Sequence, residues 1–418
     1  MNPSLNTETK TNIALPLSFI LFSLAAFITS QFILLKNGDM IVQGIFRIPE
    51  VWMAAHLLLL GWVMMVAMGA MYQLVPVVFL TPIWSEKFGF IQFSISAIGI
   101  VGFSLSLAYY IEIAMFTAGL TVLGIVMFLF QMWKTIKKQA SKNILTVFVG
   151  TALLCLLLTI SLGILLVANL VLNNEIMNHF ALLKTHILLG LAGWFTLLIF
   201  GFSYKMVPMF SLSHGYTMKR SIYVYGTYVA GLLFGIISFW IDNEIFLKLS
   251  FSLLFLGFSF FVIHIREILK KRLKKKLDRA FMFSLVAIIF GWILHLMVML
   301  NVLFFDLSMS FIGIFTYLYI FNWIIFSIMG YLYKIVPFLW WTYRYSEKVG
   351  KADVPVLKDM VNDKLGVLLF YSFSISVWGV ALAILYSSQA GFNLFQGILT
   401  ILSIVYGAAI INVLRQYK

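Results

Sequence analysis

The chain has 418 residues, 62% of them hydrophobic and only 11% charged, with a formal net charge of +14. A soluble core of this length does not need so much apolar surface, whereas helices of about 20 apolar residues that span a bilayer account for it. The positive charge does not mark a nucleic-acid binder, because Lys and Arg fall in alternate loops between apolar runs, as membrane topology is written. The single cysteine, Cys155, excludes a disulfide framework and a thiolate metal site.

Residues 1–12 are polar and expected to fray. Twelve helices are then expected, at roughly 13–35, 51–81, 89–111, 115–134, 144–172, 181–210, 220–241, 245–267, 280–304, 309–340, 365–387 and 391–414. The first is too long for a signal-peptide core and lacks a small-residue cleavage site, so it is read as retained. The loops after helices 4, 6, 8 and 10 are rich in Lys and Arg, and those after 3, 5, 9 and 11 have none. The most basic loop holds Lys270, Lys271, Arg272, Lys274, Lys275, Lys276 and Arg279. The positive-inside rule then predicts both termini in the cytoplasm.

One stretch occurs three times, as W-x6-G-x2-Y-[QK]-[LMI]-V-P. It runs from Trp62 to Pro76, from Trp194 to Pro208 and from Trp323 to Pro337, so the tryptophans lie 132 and 129 residues apart. Equal periods of this kind mark internal repetition. The expected architecture is an all-α polytopic membrane protein: one transmembrane domain, 1–418, of three pseudo-threefold four-helix repeats at about 13–134, 144–267 and 280–414. On a helix, Trp, Gly, Tyr and Pro of the motif share one stripe. Packing explains such a stripe, with Gly admitting a neighbouring helix and aromatics filling the seam. The Val-Pro ends are expected to end or kink their helices. Lys205 and Lys334, three residues before the prolines, are expected to snorkel to the headgroups.

Among the few polar residues, histidine carries the chemistry. His214 and His264 are expected at the surface. His56, His179, His186 and His295 map to the outer half or outer boundary of helices 2, 6, 6 and 9. Imidazole is a common ligand of haem iron and copper. The plainer reading is that each bonds a carbonyl or a neighbouring helix. No Asp or Glu lies mid-helix: Glu112, Glu175, Asp242, Glu244 and Asp306 are near the outer boundary. A proton- or sodium-coupled transporter usually places a carboxylate at mid-membrane. No phosphate-binding glycine loop, His-Glu-x-x-His or serine-nucleophile motif is present.

Twelve helices in three sets of four, with outer-side histidines on helices 2 and 6, resemble subunit I of the haem-copper oxidases. The run from His56 through Gly61, Trp62, Gly69 and Tyr72 to Pro76 is similar to that of smaller haem-copper-oxidase-like proteins and of NnrS-type proteins, which are linked to nitric oxide, haem and copper. The resemblance implies His56 as an axial haem ligand and His186 as a copper ligand, with His179 a further metal candidate seven residues earlier. The family's two helix 10 histidines are absent, since residues 315–322 run from Phe315 to Asn322 without one. Its helix 7 His-His pair is replaced by Tyr223, Tyr225 and Tyr228. A complete oxygen-reducing centre is therefore not implied, and His295 becomes the substitute for the missing helix 10 ligand. His56 lies six residues before its tryptophan and His186 eight, which on unbroken helices turns them about 160° apart. Either they face different pores, or Gly190 and Gly193 loosen helix 6.

The resulting expectation is a membrane protein that is not a terminal oxidase and binds haem or copper in electron transfer, nitric oxide response or cofactor handling. Its partners are the lipid bilayer and respiratory or redox proteins. The alternatives are a metal-free transporter or channel, or an assembly partner of a respiratory complex.

Overall fold

A computed structural model describes residues 11–172, 176–305 and 308–415. Twelve of its helices are long and apolar enough to cross a membrane: α1 (Ala14–Lys36), α2 (Pro49–Phe79), α3 (Glu86–Tyr109), α4 (Ile111–Lys137), α5 (Ile144–Val171), α6 (His179–Ser211), α7 (Ser221–Ile241), α8 (Glu244–Lys270), α9 (Phe281–Phe304), α10 (Ser310–Lys348), α11 (Asp363–Leu385) and α12 (Gln389–Arg415). The protein is thus an all-helical, multi-pass membrane protein. Glu175 and Asp306 lie outside the described residues, as do residues 1–10 of the expected frayed terminus. The next two residues are held: Thr11 Oγ1 donates to the Tyr72 carbonyl at 3.2 Å, and the Asn12 N–H to Glu86 Oε1 at 2.7 Å. No described span carries a carboxylate in its central turns.

The chain forms two compact units. The first comprises Met1–Gln139, Asp278–Ser284 and Ile325–Lys418; the second comprises Ala140–Leu277 and Leu285–Ile324. In the first unit, α12 lies beside α1. Buried Gln396 donates through Nε2 to Gln31 Oε1 at 3.0 Å, so each of these two polar groups has a partner in apolar surroundings, while Gln396 Oε1 has none among the described residues. In the same unit α3 and α4 cross closely: a Cβ on Gly99 would meet the Thr121 backbone nitrogen at 2.7 Å, and one on Gly124 the Ser96 Cα at 2.8 Å. In the second unit Gly231 and Gly257 give α7 and α8 the same close approach, against the backbones of Leu254 and Tyr228.

The motif tryptophans, tyrosines and valines are buried in all three copies. A Cβ on Gly69 would sit 2.9 Å from Phe19 Cβ of α1, and one on Gly201 3.1 Å from Phe148 Cβ of α5, so glycine admits the neighbouring helix in both places. Each motif tyrosine lies among rings of its own unit. Tyr72 meets Phe19 and Phe128, Tyr204 meets Phe148 and Phe261, and Tyr333 meets Phe370 and Tyr406, with centroids 5.4–6.2 Å apart.

The structure narrows or corrects several expectations. Of the two outcomes expected of the prolines, ending the helix is excluded. α2 and α6 run three residues past Pro76 and Pro208 and stop at Leu80 and Leu212, both in the left-handed conformation, while α10 runs well beyond Pro337. Lys334 does more than snorkel, because its Nζ pairs with Asp278 at 2.6 Å with both side chains largely covered. The motif helices are not unbroken, and helix 6 is loosened where Gly190 and Gly193 stand, the second of the two alternatives. Each widens into a π-helical stretch around its tryptophan: Leu57–Met64, Leu189–Thr196 and Tyr319–Ile325. A π turn bonds residue i to i+5 and shifts the register of everything before it. The 160° angle between His56 and His186 therefore does not apply, since a π stretch separates each from its tryptophan.

Candidate functional site

His56 stands at the last α-helical turn before the first π stretch and is half-buried. Its Nδ1 lies 2.7 Å from the Trp52 carbonyl. A carbonyl only accepts, so Nδ1 carries the proton and Nε2 keeps its lone pair. No described residue partners that Nε2. Phe103 of α3 meets the ring edge-on at 5.1 Å. This is the state in which an imidazole can ligate a metal, one nitrogen fixed by a carbonyl and the other basic.

The other three candidates belong to the second unit. His186 is half-buried and donates through Nδ1 to the Thr159 carbonyl of α5 at 2.9 Å. Gly163, one turn further along α5, leaves room for its ring: a Cβ there would meet Cε1 at 3.2 Å. His179 packs edge-on against Phe180. His295 is buried, and both of its nitrogens are engaged. Nδ1–H donates to the Gly291 carbonyl at 2.7 Å, and the Tyr228 hydroxyl donates to Nε2 at 3.1 Å. Phe258 lies 4.3 Å from its ring centroid and Tyr319 5.4 Å.

A second hydrogen-bonded cluster adjoins this one. Thr196 Oγ1 donates to the Leu191 carbonyl at 3.0 Å and accepts from Trp323 Nε1–H at 2.9 Å and from the Tyr319 hydroxyl at 2.7 Å. The Leu191 carbonyl and Thr196 both lie in the π stretch of α6, where the i to i+5 register brings residue 196 over the carbonyl of residue 191. Every proton in these clusters is accounted for with His295 neutral. Tyr228 and Thr196 were not legible as site residues, since a lone hydroxyl in an apolar run gives no signal of its partner.

His264 corrects its expected surface position. It is buried, its Nε2–H donating to the Thr217 carbonyl at 2.9 Å and its Nδ1 accepting from the motif Tyr204 hydroxyl at 3.2 Å. His214 is exposed, as expected.

The donor sets decide which groups could be held. No group of three His, Cys, Asp or Glu suited to a metal ion exists among the described residues, so a copper site of the kind implied for His186 and His179 does not fit them. His295 does not fit as a haem ligand either, because Tyr228 occupies the nitrogen that would face the iron. His56 does fit, since its Nε2 lone pair could hold a haem iron. Interior polar atoms also lack protein partners: both ends of the Asn322 amide, the Tyr317 hydroxyl, and the indole N–H groups of Trp62 and Trp194. Each such group costs about 1–3 kcal/mol unless water or a bound group satisfies it. No protein-family model matches the chain, and no curated protein matches its sequence.

Proposed function

We propose that this is a haem-copper-oxidase-like membrane protein that lacks an oxygen-reducing centre and holds a haem through His56. The observation that carries the proposal is His56 itself, with Nδ1–H fixed on the Trp52 carbonyl and Nε2 left basic. A haem supplies an iron that transfers one electron or binds a small gas, its role set by axial ligands and polarity. The Trp52 carbonyl would fix the tautomer and orientation of the ligating ring. Electron transfer, nitric oxide response and cofactor handling in a bacterial-type plasma membrane are the functions this serves, with respiratory or redox proteins as partners. Both termini are placed in the cytoplasm on the distribution of Lys and Arg. Three four-helix repeats are inferred from the motif spacing, and the π stretch that recurs at each tryptophan supports them.

The test is the visible spectrum of the purified protein after expression with ample haem. A Soret band that His56→Ala abolishes or shifts, in a variant that still inserts and unfolds cooperatively, is the expected result. An unchanged spectrum in that variant sinks the assignment. The closed hydrogen bonding around His295 favours a second reading, a metal-free transporter or assembly partner, and a wild-type protein with no Soret band would select it.

A further inference from the structure

At the basic end of the second unit, the loop between α6 and α7 meets the last two turns of α8. Three side chains at the end of α8 and just past it hold that loop. His264 bonds the Thr217 carbonyl at 2.9 Å, Glu267 pairs with Arg220, and Lys271 Nζ donates to the Gly215 carbonyl. Backbone bonds continue the attachment, with the Leu273 N–H on the Leu212 carbonyl at 3.1 Å and the Lys274 N–H on the Ser211 carbonyl at 3.3 Å. These bonds lie within the protein and fix the loop on α8, and a preorganised site favours binding.

Between these elements lies a cavity of about 240 Å³. Its polar lining is Tyr216, Thr217, Arg220, His264, Glu267, Lys270 and Lys271, with both His264 nitrogens already engaged. Three cations face one carboxylate, and that carboxylate is already paired with Arg220. Lys271 has two further N–H donors beyond the one on Gly215. Lys270 has no protein partner among the described residues. Partial burial raises the pKa of the Tyr216 hydroxyl, which stays a donor. The lining is thus cationic and rich in unspent donors, as a phosphate requires. Membrane topology explains why this loop is basic, but not why it is fastened around a cavity. Exposed apolar side chains neighbour the lining residues in the chain: Ile222 and Tyr223 follow Arg220 on α7, and Ile263 precedes Glu267 by one turn on α8.

We propose that this cavity binds a phosphate group, carried in the membrane by an acidic phospholipid whose headgroup sits at Lys270, Lys271 and Tyr216 and whose acyl chains lie along Ile222, Tyr223 and Ile263. Basic pockets between transmembrane helices take such headgroups. The site is independent of His56 and of any haem.

The experiment is a thermal-unfolding titration of the delipidated full-length protein in neutral detergent. The probes are phosphatidylglycerol, phosphatidylcholine and inorganic phosphate. Phosphatidylglycerol should raise the Tm saturably and phosphatidylcholine should not. Lys270→Gln, which removes no hydrogen bond within the protein, should raise the half-saturating concentration about fivefold, and Lys270→Gln with Lys271→Gln further. Lys275→Gln with Lys276→Gln, which removes charge from the same loop outside the cavity, should leave it unchanged. A Lys270-dependent rise with inorganic phosphate alone upholds the phosphate site and assigns it to a soluble ligand. Equal losses in the two lysine pairs would reduce the effect to surface charge and overturn the site. So would indifference to all three probes.

Discussion

At the scale of single residues, the histidines were legible and their partners were not. An imidazole in an apolar run announces that something must satisfy it. Whether that is a carbonyl one turn back, a hydroxyl from another helix or a metal depends on contacts far apart in sequence. His56 and His295 both place Nδ1 on the carbonyl four residues earlier, yet only His295 has a tyrosine waiting at Nε2. Tyr228→Phe deletes that donor while keeping the ring, and strands the His295 nitrogen in a buried site. The variant should lose about 1 kcal/mol of stability, the scale of interhelical hydrogen bonds in membranes. Reversible unfolding in mixed detergent measures it. An unaltered unfolding midpoint would mean that Nε2 has another donor. His264 was misjudged for a related reason: it lies near a helix end, where the sequence suggests surface, but the α6–α7 loop folds back over it.

At the scale of elements, the helices and the packing role of the motif glycines could be read from periodicity and residue size. The π stretches could not, because no residue pattern in LLLLGWVM, LGLAGWFT and YIFNWII distinguishes them from ordinary helix. The glycine argument predicts an order of effects. Gly69→Ala drives a methyl to 2.9 Å from both Phe19 Cβ and the Pro16 carbonyl oxygen, whereas Gly201→Ala meets Phe148 Cβ at 3.1 Å and no backbone oxygen. Gly69→Ala should cost about 1–3 kcal/mol, Gly201→Ala less, and Gly150→Ala, with nothing within 4 Å, should be neutral or stabilising. Unfolding midpoints in any other order would refute this account of the stripe. The Lys334–Asp278 pair gives a second test, because a partly buried charge is costly mainly when its partner is removed. Asp278→Asn should destabilise by about 1–3 kcal/mol, and adding Lys334→Met should recover most of the loss. A double variant no better than the single one would show that the pair is not the source.

At the scale of the whole molecule, composition sufficed for twelve spanning helices, since apolar runs of this length have no other solvent. Their orientation is a separate matter, written in the loops. An even number of spans puts both ends of the chain on one side, and the charges decide which. The loops after α4, α6, α8 and α10 carry the clusters of Lys and Arg, against Lys36 and Arg47 between α1 and α2. At the end of α4 the ammonium groups of Lys134 and Lys137 lie 5.2 and 5.3 Å from the Trp133 ring, the pairing of cation and aromatic that anchors a helix at a headgroup layer. The loop after α8 alone holds seven cations between residues 270 and 279, and carrying these across a bilayer would be opposed by the membrane potential. That loop, and with it both termini, is therefore expected in the cytoplasm. Cysteine introduced at Lys275 should resist a membrane-impermeant maleimide in intact cells and react once the cells are opened, while one at Glu112 should react in both. The native Cys155 is buried in α5 and gives little background. Ready labelling at 275 in intact cells would invert the topology, and with it the side of the membrane on which the His56 ring and the α8 cavity lie.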